Sequence, residues 1–594
     1  METIDEIVAR TLSTILIILL HLWLIRFILK QYLMRNHHHG GQEGTGDKDR
    51  SLLRKISDSL FRGSKIDRKN PPGPWLSLPI VGDLYLLAPH ADDPWWAFDQ
   101  IRVKYGPLVR LRLGSFETIL ISSLDLMREV LLTKAEYFAD RPHFRRHDYY
   151  FNMNRQNALA LCDWTETHQK RRSIAHAAVI PRFGTDNFTR LSDCCSKNIR
   201  ILIENLQNLN RSDQNDNLVM EKDQINELCC KIFLEFLLDF DEKSIANTKE
   251  NGHNFLKNLA YNFDYIFYDI NQMNLSDFIP SLQRFKPIRK YLDEIFKKSQ
   301  WLSGEIGKIV QKRFEMIVAK RKHQRPEESP IGDARTDKIG ATNPDNSDID
   351  EILWKTQNQS NVRFLDLIID HHLEDPEKIT WDEMLFEIAD LIGGSSAVSN
   401  LLFRLIGHLA MNQDVQQEIY DEIQTILSSR PDSDGIVRIE DQAKMPMVFA
   451  SIMEALRLSL SPIVPHYTRA DTSLQEYFVP KGTMILFNIY HFNLSPKFFA
   501  EPFRFDPKRF IDSKEKRLRK PSYFFPFSYG RRSCLGYKMV NTILSTTIAN
   551  LLIHYRLTSI DNGEKIGRLL KPKGTVALPC ELNECYHIGL IERC

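Results

Sequence analysis

The sequence predicts a mainly α protein with small β-sheets, preceded by one N-terminal transmembrane helix. Three observations carry this. Residues 12–29 (LSTILIILLHLWLIRFIL) are nearly all apolar, with His21 and Arg26 the strongly polar exceptions, and about 20 such residues span a bilayer as a helix. Residues 190–320 and 380–410 repeat apolar positions at helical spacing, with breaks at Asn, Asp and Gly. Residues 107–122 (PLVRLRLGSFETILIS) hold two short runs around Gly114-Ser115, a hairpin signal, and Tyr477–Thr483 (YFVPKGT) reads as strand, turn, strand.

Composition narrows the function. At 594 residues a length prior suggests about four domains, but no internal repeat divides the chain and one large catalytic unit is the simpler reading. Hydrophobic residues make up 43%, ample for a big core. Basic and acidic residues number 78 and 77, so charge gives no case for a nucleic-acid partner. The nine cysteines are odd in number, and adjacent pairs such as Cys229-Cys230 suit neither a disulfide framework nor a zinc cluster.

In chain order, residues 1–11 form a short N-terminus carrying Glu2, Asp5 and Glu6 against Arg10. Lys30, Arg35, Lys48 and Arg50 follow the apolar span, which keeps its C-terminal side cytosolic. A cleaved signal peptide is the alternative, but the n-region is acidic and no small-x-small site follows. Residues 30–74 read as a polar linker ending in the stiff Pro71-Pro72-Gly73-Pro74 hinge. Its His37-His38-His39 run reads as a solvated tract rather than a metal site. Residues 75–594 are the catalytic domain. Within it, 125–135 look helical and 139–163 loop-like and aromatic. The stretch 323–361 is polar and poor in aromatics, a disordered surface insertion by composition. The helix at 380–410 carries Gly393-Gly394 in its middle, at a cost of about 1 kcal/mol per glycine; a widened turn admitting a ligand to the backbone would explain it. Glu454 and Arg457, three apart, share a helix face and can pair.

The chemistry concentrates in Phe527–Gly536 (FSYGRRSCLG). Gly530 permits a bend, Gly536 lets backbone approach something flat, and Cys534 arrives at the start of a helix marked by Met539, Val540, Ile543 and Leu544. Free N–H groups there and the nearby Arg532 favour a thiolate, a ligand suited to haem iron. This stretch matches F-x-x-G-x-R-x-C-x-G at every fixed position and resembles the haem-binding signature of the cytochrome P450 superfamily.

The resemblance implies that fold, with Cys534 as the iron ligand in the haem site formed by Phe527, Gly530, Arg532 and Gly536. It implies that Trp164, Arg171 or Arg172, His466 and Arg532 bind haem propionates; His168 stands where the family has an arginine. Arg509, from a segment similar to the family's P-E-R-F, joins Glu454 and Arg457 in a structural ion-pair group. On the oxygen-side helix the family has A/G-G-x-acid-Thr-Thr. Here Gly393, Gly394, Ser395 and Ser396 occupy the region, and the acid is missing in either alignment. Water or substrate hydroxyls, Ser395 or Ser396 could replace the relay, or dioxygen is not activated in the ordinary way.

GGSSAVSN, ALALCDW at 158–164 and GRRSCLGYKM at 530–539 resemble the Spook/Spookier group of arthropod steroidogenic cytochromes P450. That resemblance implies a sterol substrate, oxidised early in ecdysteroid synthesis after 7-dehydrocholesterol. It further implies O2 and NADPH-derived electrons from a flavoprotein reductase, docked near the basic run Lys514, Lys516, Arg517, Arg519 and Lys520. The location implied is the endoplasmic reticulum membrane, with the catalytic domain facing the cytosol. Rival readings are a haem-thiolate isomerase, dehydratase or desaturase inserting no oxygen, a haem sensor or carrier, and a broad-specificity detoxifying monooxygenase.

Overall fold

The computed structural model describes residues 70–90, 93–212, 218–240, 252–324, 363–430, 435–460, 463–571 and 585–593. At its start the proline-rich segment docks on a strand. Pro72 O accepts from Arg110 N at 2.8 Å, and a Cβ on Gly73 would lie 2.1 Å from Arg110 O, so only glycine permits the approach. Helix α1 (Pro94–Tyr105) follows, with Asp93 capping Trp96 N and proline at its first position. The expected hairpin forms as β1 (Leu108–Leu113) and β2 (Phe116–Ile121), turning at Gly114 with φ +59°.

Residues 125–135 form a five-residue helix, Leu124–Arg128, continued by a wide turn. The segment read as loop holds one short α-helix, α2 (Arg145–Tyr150), and a 3-10 turn at Arg155–Asn157. Helix α3 (Glu166–Val179) begins where Thr165 accepts from His168 N. Then come α4 (Asp186–Ser212), strand β3 (Leu218–Met220), α5 (Lys222–Leu238), α6 (Gly252–Ile270) and the 39-residue α7 (Lys286–Gln324).

The core is built around α8 (Trp381–Met411). Thr380 and Glu383 close a capping box at its start. Its Ile388, Ile392, Val398, Leu402 and Phe403 are buried, and it packs on α5, α6 and α7, which is why it is apolar nearly all round. The helix stays regular through Gly393-Gly394, so the widened turn expected there is absent. Instead the glycines face rings: a Cβ would sit 3.5 Å from Phe263 at Gly393 and 3.4 Å from Phe233 at Gly394.

After α8 run α9 (Gln413–Ser428), α10 (Pro446–Leu458), β4 (His466–Tyr467), β5 (Thr472–Leu474), β6 (Tyr477–Val479) and β7 (Met484–Phe487). The strand–turn–strand at 477–483 is real but not a hairpin. Strand β6 pairs with β5, while β7 pairs parallel to β2 and antiparallel to β4. Helix α11 (Tyr537–His554) continues directly into β8 (Tyr555–Ser559), which joins β9 (Ile588–Glu592) and β3.

The described residues from Asn70 to Arg593 pack as one compact unit. One correction is required. Among the described residues no helix is long and apolar enough to cross a membrane, so the described fold is mainly α with small β-sheets and includes no transmembrane helix. The predicted span 12–29, the lumenal segment 1–11 and the linker up to residue 69 lie outside the described residues, as does 325–361 of the expected insertion. The correction extends to the membrane anchoring, the endoplasmic reticulum location and the cytosol-facing orientation, which no described element supports.

Candidate active site

Cys534 sits three residues before the first residue of α11, so its sulfur meets the helix's free N–H groups. The amides of Gly536 and Tyr537 hydrogen-bond it, and with the Arg172 charge they favour the thiolate, while burial is the larger effect and holds the thiol above its ordinary value. Its backbone N–H is pinned to Phe527 O at 2.9 Å. The residue is exposed and lines a cavity of about 450 Å³, which Phe527, Cys534, Leu535 and Gly536 border on one side. Gly530 has φ +72°, and a Cβ there would lie 2.0 Å from Leu131 O, so glycine is obligatory. At Gly536 a Cβ would meet no protein atom within 4 Å. The bare backbone leaves that wall of the cavity flat.

Three guanidinium groups, Arg141, Arg172 and Arg532, face the same cavity. Arg141 donates to Val464 O and Pro465 O, and Arg532 to Ala139 O and Cys162 O. Arg172 donates to Ser533 O. These are carbonyl partners, so the cations are held in place but not neutralised. Burial, then the Arg532 charge, lowers the pKa of both Arg141 and Arg172. Nearby, Trp164 Nε1 and His466 Nε2 are buried without hydrogen-bond partners among the described residues. Such a surplus of enclosed positive charge and orphaned polar atoms suits a flat group carrying two carboxylates. A haem meets that description, and the residues fit it.

The two adjacent arginines face different ways. Arg171 turns to α8, donating to Glu387 at 2.9 Å and to Asn157 O, and Arg172 lines the cavity. Glu387 is wholly enclosed; burial pushes its pKa up to about 7, against the opposing pull of Arg171. His168 also misses the cavity wall. It links Arg532, 2.9 Å from Nε2, to Cys162, 3.0 Å from Nδ1.

On the opposite wall α8 presents Gly394, Ala397, Val398 and Leu401. Ser395 and Ser396 are buried on its other side, Ser395 hydrogen-bonding Cys230 on α5. At about 100° per residue, 394, 397, 398 and 401 share one face and 395–396 another. Gly393 and Gly394 border a second cavity of about 380 Å³, walled mainly by Phe98, Phe151, Phe263, Ile266 and Phe386. The two cavities share Ala160, Phe267, Asp390, Gly394, Ile463 and Val464, so they adjoin.

Asp390 and Arg141 were missed in the sequence. Asp390 accepts from Leu159 N at 2.7 Å and Ala160 N at 3.2 Å, and burial raises its pKa. Its signal was available: an acid one turn before Gly394 on the same helix. Arg141 had none, being one of several arginines in an aromatic loop.

Glu454, Arg457 and Arg509 come together away from the cavity. Arg457 meets Glu454 at 2.7 Å and Arg509 meets it at 3.1 Å. Arg457 also donates to Asn493 O and Pro502 O, tying α10 to the segments that precede the cysteine loop. Lys514, Lys516, Arg517, Arg519 and Lys520 are exposed.

This fold and a cavity-facing cysteine at a helix N-terminus define a haem-thiolate enzyme. The sequence model of the family "Cytochrome P450" matches residues 71–582, and the chain belongs to that family. It is 29% identical over 515 residues to "Cytochrome P450 307a1" of Drosophila melanogaster, covering 82% of this chain and 83% of the relative. It is 25% identical to "Steroid 17-alpha-hydroxylase/17,20 lyase" of Felis catus, over 86% of this chain and 92% of that one. "Indoleacetaldoxime dehydratase" of Arabidopsis thaliana is 23% identical, over 83% and 88%. The protein is thus a monooxygenase-type enzyme for a lipophilic substrate, using O2 and NADPH-derived electrons.

Proposed function

We propose that the substrate is a sterol, oxidised at an early step of ecdysteroid synthesis after 7-dehydrocholesterol, with electrons delivered through a flavoprotein reductase. The observation that carries the lipophilic part is the aromatic-walled cavity adjoining the Cys534 cavity. The sterol part is supported by the three stretches similar to the steroidogenic group and by a steroid hydroxylase among the relatives.

Bound in the Cys534 cavity, a haem supplies dioxygen activation and C–H oxidation. Cys534 would hold its iron, and Arg141, Trp164, Arg172, His466 and Arg532 would hold its carboxylates. Phe527, Gly530 and Gly536 shape the cysteine side, and the Gly394–Leu401 face of α8 excludes water from the other. With Ser395 and Ser396 turned away, Asp390 is the carboxyl group bordering both cavities.

One observation favours a second reading, a dehydratase or isomerase that inserts no oxygen: beyond Gly394 the cavity-facing part of α8 carries no acid or alcohol side chain, and Asp390, one turn earlier, is bonded to two backbone amides. The experiment that separates the readings is turnover of 7-dehydrocholesterol with NADPH and reductase under labelled dioxygen. Label in a sterol product is the expected result. An unlabelled product moves the assignment to the second reading. Turnover of many unrelated lipophiles but not the sterol would make the enzyme a broad detoxifier. An intact thiolate signature in the reduced carbon monoxide spectrum with no substrate consumed would point to a haem sensor or carrier.

A further inference from the structure

Helix α2 carries two successive basic residues into the aromatic-walled cavity, and they differ in what they have left to offer. Arg146 is fully used. Its Nη2 meets Asp277 at 2.8 Å and Gln272 O at 3.1 Å, its Nε meets Asp277 at 3.1 Å, and its Nη1 meets Asp269 at 2.9 Å and Tyr150 Oη at 3.0 Å. Asp269 in turn accepts from Tyr150 and Tyr291. A guanidinium has five N–H groups, and this one has acceptors for all of them. It fastens α2 to the end of α6 and to the Leu275–Phe278 turn.

His147 is the opposite case. It lines the cavity, is only 6% exposed, and its Nδ1 has no hydrogen-bond partner among the described residues. Its ring stands edge-on to Phe144, centroids 5.3 Å apart and planes at 85°. Burial, then the neighbouring Arg146, Arg155 and His143, keeps the imidazole neutral. A neutral imidazole offers one donor and one acceptor, and a buried polar group without a partner is costly. Among the described residues nothing satisfies it, and the cavity that the ring lines is the space from which a ligand can bring a partner.

We propose that His147 is the polar anchor of the substrate cavity, hydrogen-bonding a hydroxyl group on an otherwise apolar ligand. The charge around it selects the class. Arg146 stands against the two carboxylates Asp269 and Asp277 and Arg155 is paired with Asp163, which disfavours an anion, and the aromatic walls disfavour a hydrated cation. A hydroxyl can serve either imidazole nitrogen. His147 borders only the aromatic-walled cavity and not the one containing Cys534, so the anchored end of the ligand is held beyond the junction. The inference rests on reading this cavity as the substrate site, and it adds what the site recognises.

The test is ligand titration of the haem-loaded full chain with two matched pairs. One pair is 7-dehydrocholesterol and its 3-deoxy counterpart, and the other is dodecanol and dodecane. Wild type is expected to prefer the hydroxylated member of a pair by on the order of tenfold. His147→Phe should erase the preference while still binding the deoxy member, and His147→Gln, which keeps a donor and an acceptor, should retain part of it. Should the phenylalanine variant fail to load haem, the glutamine variant and the wild-type ligand comparison decide. The proposal is overturned if wild type shows no hydroxyl preference with either pair, or if the variants keep it in full. Preference for dodecanol that depends on His147, with no binding of either sterol, would uphold the anchor and remove the sterol reading.

Discussion

Arg532 donates from Nη1 to Nε2 of His168 across 2.9 Å, and this fixes the state of the histidine. A guanidinium cannot accept, so Nε2 is the bare nitrogen and Nδ1 carries the hydrogen, directed at Cys162 Sγ 3.0 Å away. Burial, then the Arg532 and Arg171 charges, lowers the His168 pKa far below its ordinary range, consistent with a neutral ring. The histidine therefore braces an arginine of the cavity instead of adding a fourth cation to it. His168→Ala should remove that acceptor and cost about 1–3 kcal/mol of stability. Chemical denaturation measures this, and a change within error would show that Arg532 is held by its carbonyl partners alone.

The buried ion-pair group predicts a larger effect. Arg457 and Glu454 are both fully enclosed at 2.7 Å. Arg457→Ala leaves the Glu454 carboxylate with only the partly buried Arg509 and the Asp506 amide among the described residues, and should cost about 3–5 kcal/mol. Haem retention after expression should fall with it. A soluble variant with wild-type stability and haem content would contradict the structural role.

The α8 face makes a prediction about the serines. Ser395→Ala and Ser396→Ala should leave the product formed per NADPH consumed unchanged within about twofold, since neither faces the cavity. Val398→Thr, which puts a hydroxyl on the cavity side, should change that ratio. The reverse pattern would mean that the helix turns on binding substrate.

Asp390 ties the segment before α3 to α8 through two backbone amides. Asp390→Ala strands both donors and should weaken the binding of any cavity ligand, with a stability loss of about 1–3 kcal/mol. Asp390→Asn keeps an acceptor for these amides and should restore most of the stability. Equal losses in both variants would show that the charge itself is needed.

Buried neutral histidines set the acid limit. His408 stacks on Phe505, with centroids 4.6 Å apart and planes at 4°. Burial, followed by the Arg404 and Arg457 charges, holds its pKa well below the usual 6.5. Below that ordinary value the unfolded chain binds a proton there and the folded chain does not. Stability is therefore lost as pH falls below about 6.5, by up to about 1.4 kcal/mol per pH unit for this residue. Urea denaturation at about pH 7 and about pH 5.5 should show a smaller loss in His408→Phe than in wild type. Equal losses would assign the acid sensitivity to other groups.

The cysteine loop was legible because its requirements are local. Gly530 needs positive φ, the sulfur needs the first amides of a helix, and the apolar positions after Tyr537 announce that helix within a few residues. The long helices and the 107–122 hairpin were legible for the same reason, since periodicity and turn residues act over short distances. The predicted transmembrane helix is the cautionary case. An apolar run predicts a span by composition alone, yet no described helix meets the requirement.

What the sequence determined by itself was the family-defining cysteine loop, the α-rich class and the Glu454–Arg457 spacing. What only the tertiary structure decided was direction. It chose Arg172 over Arg171 for the cavity and turned Ser395 and Ser396 away from it. It also brought in Arg141, Asp390 and His147 from separate segments. The physical reason is that neighbouring helical residues point about 100° apart, and which of them meets a cavity depends on how that helix packs against partners distant in sequence.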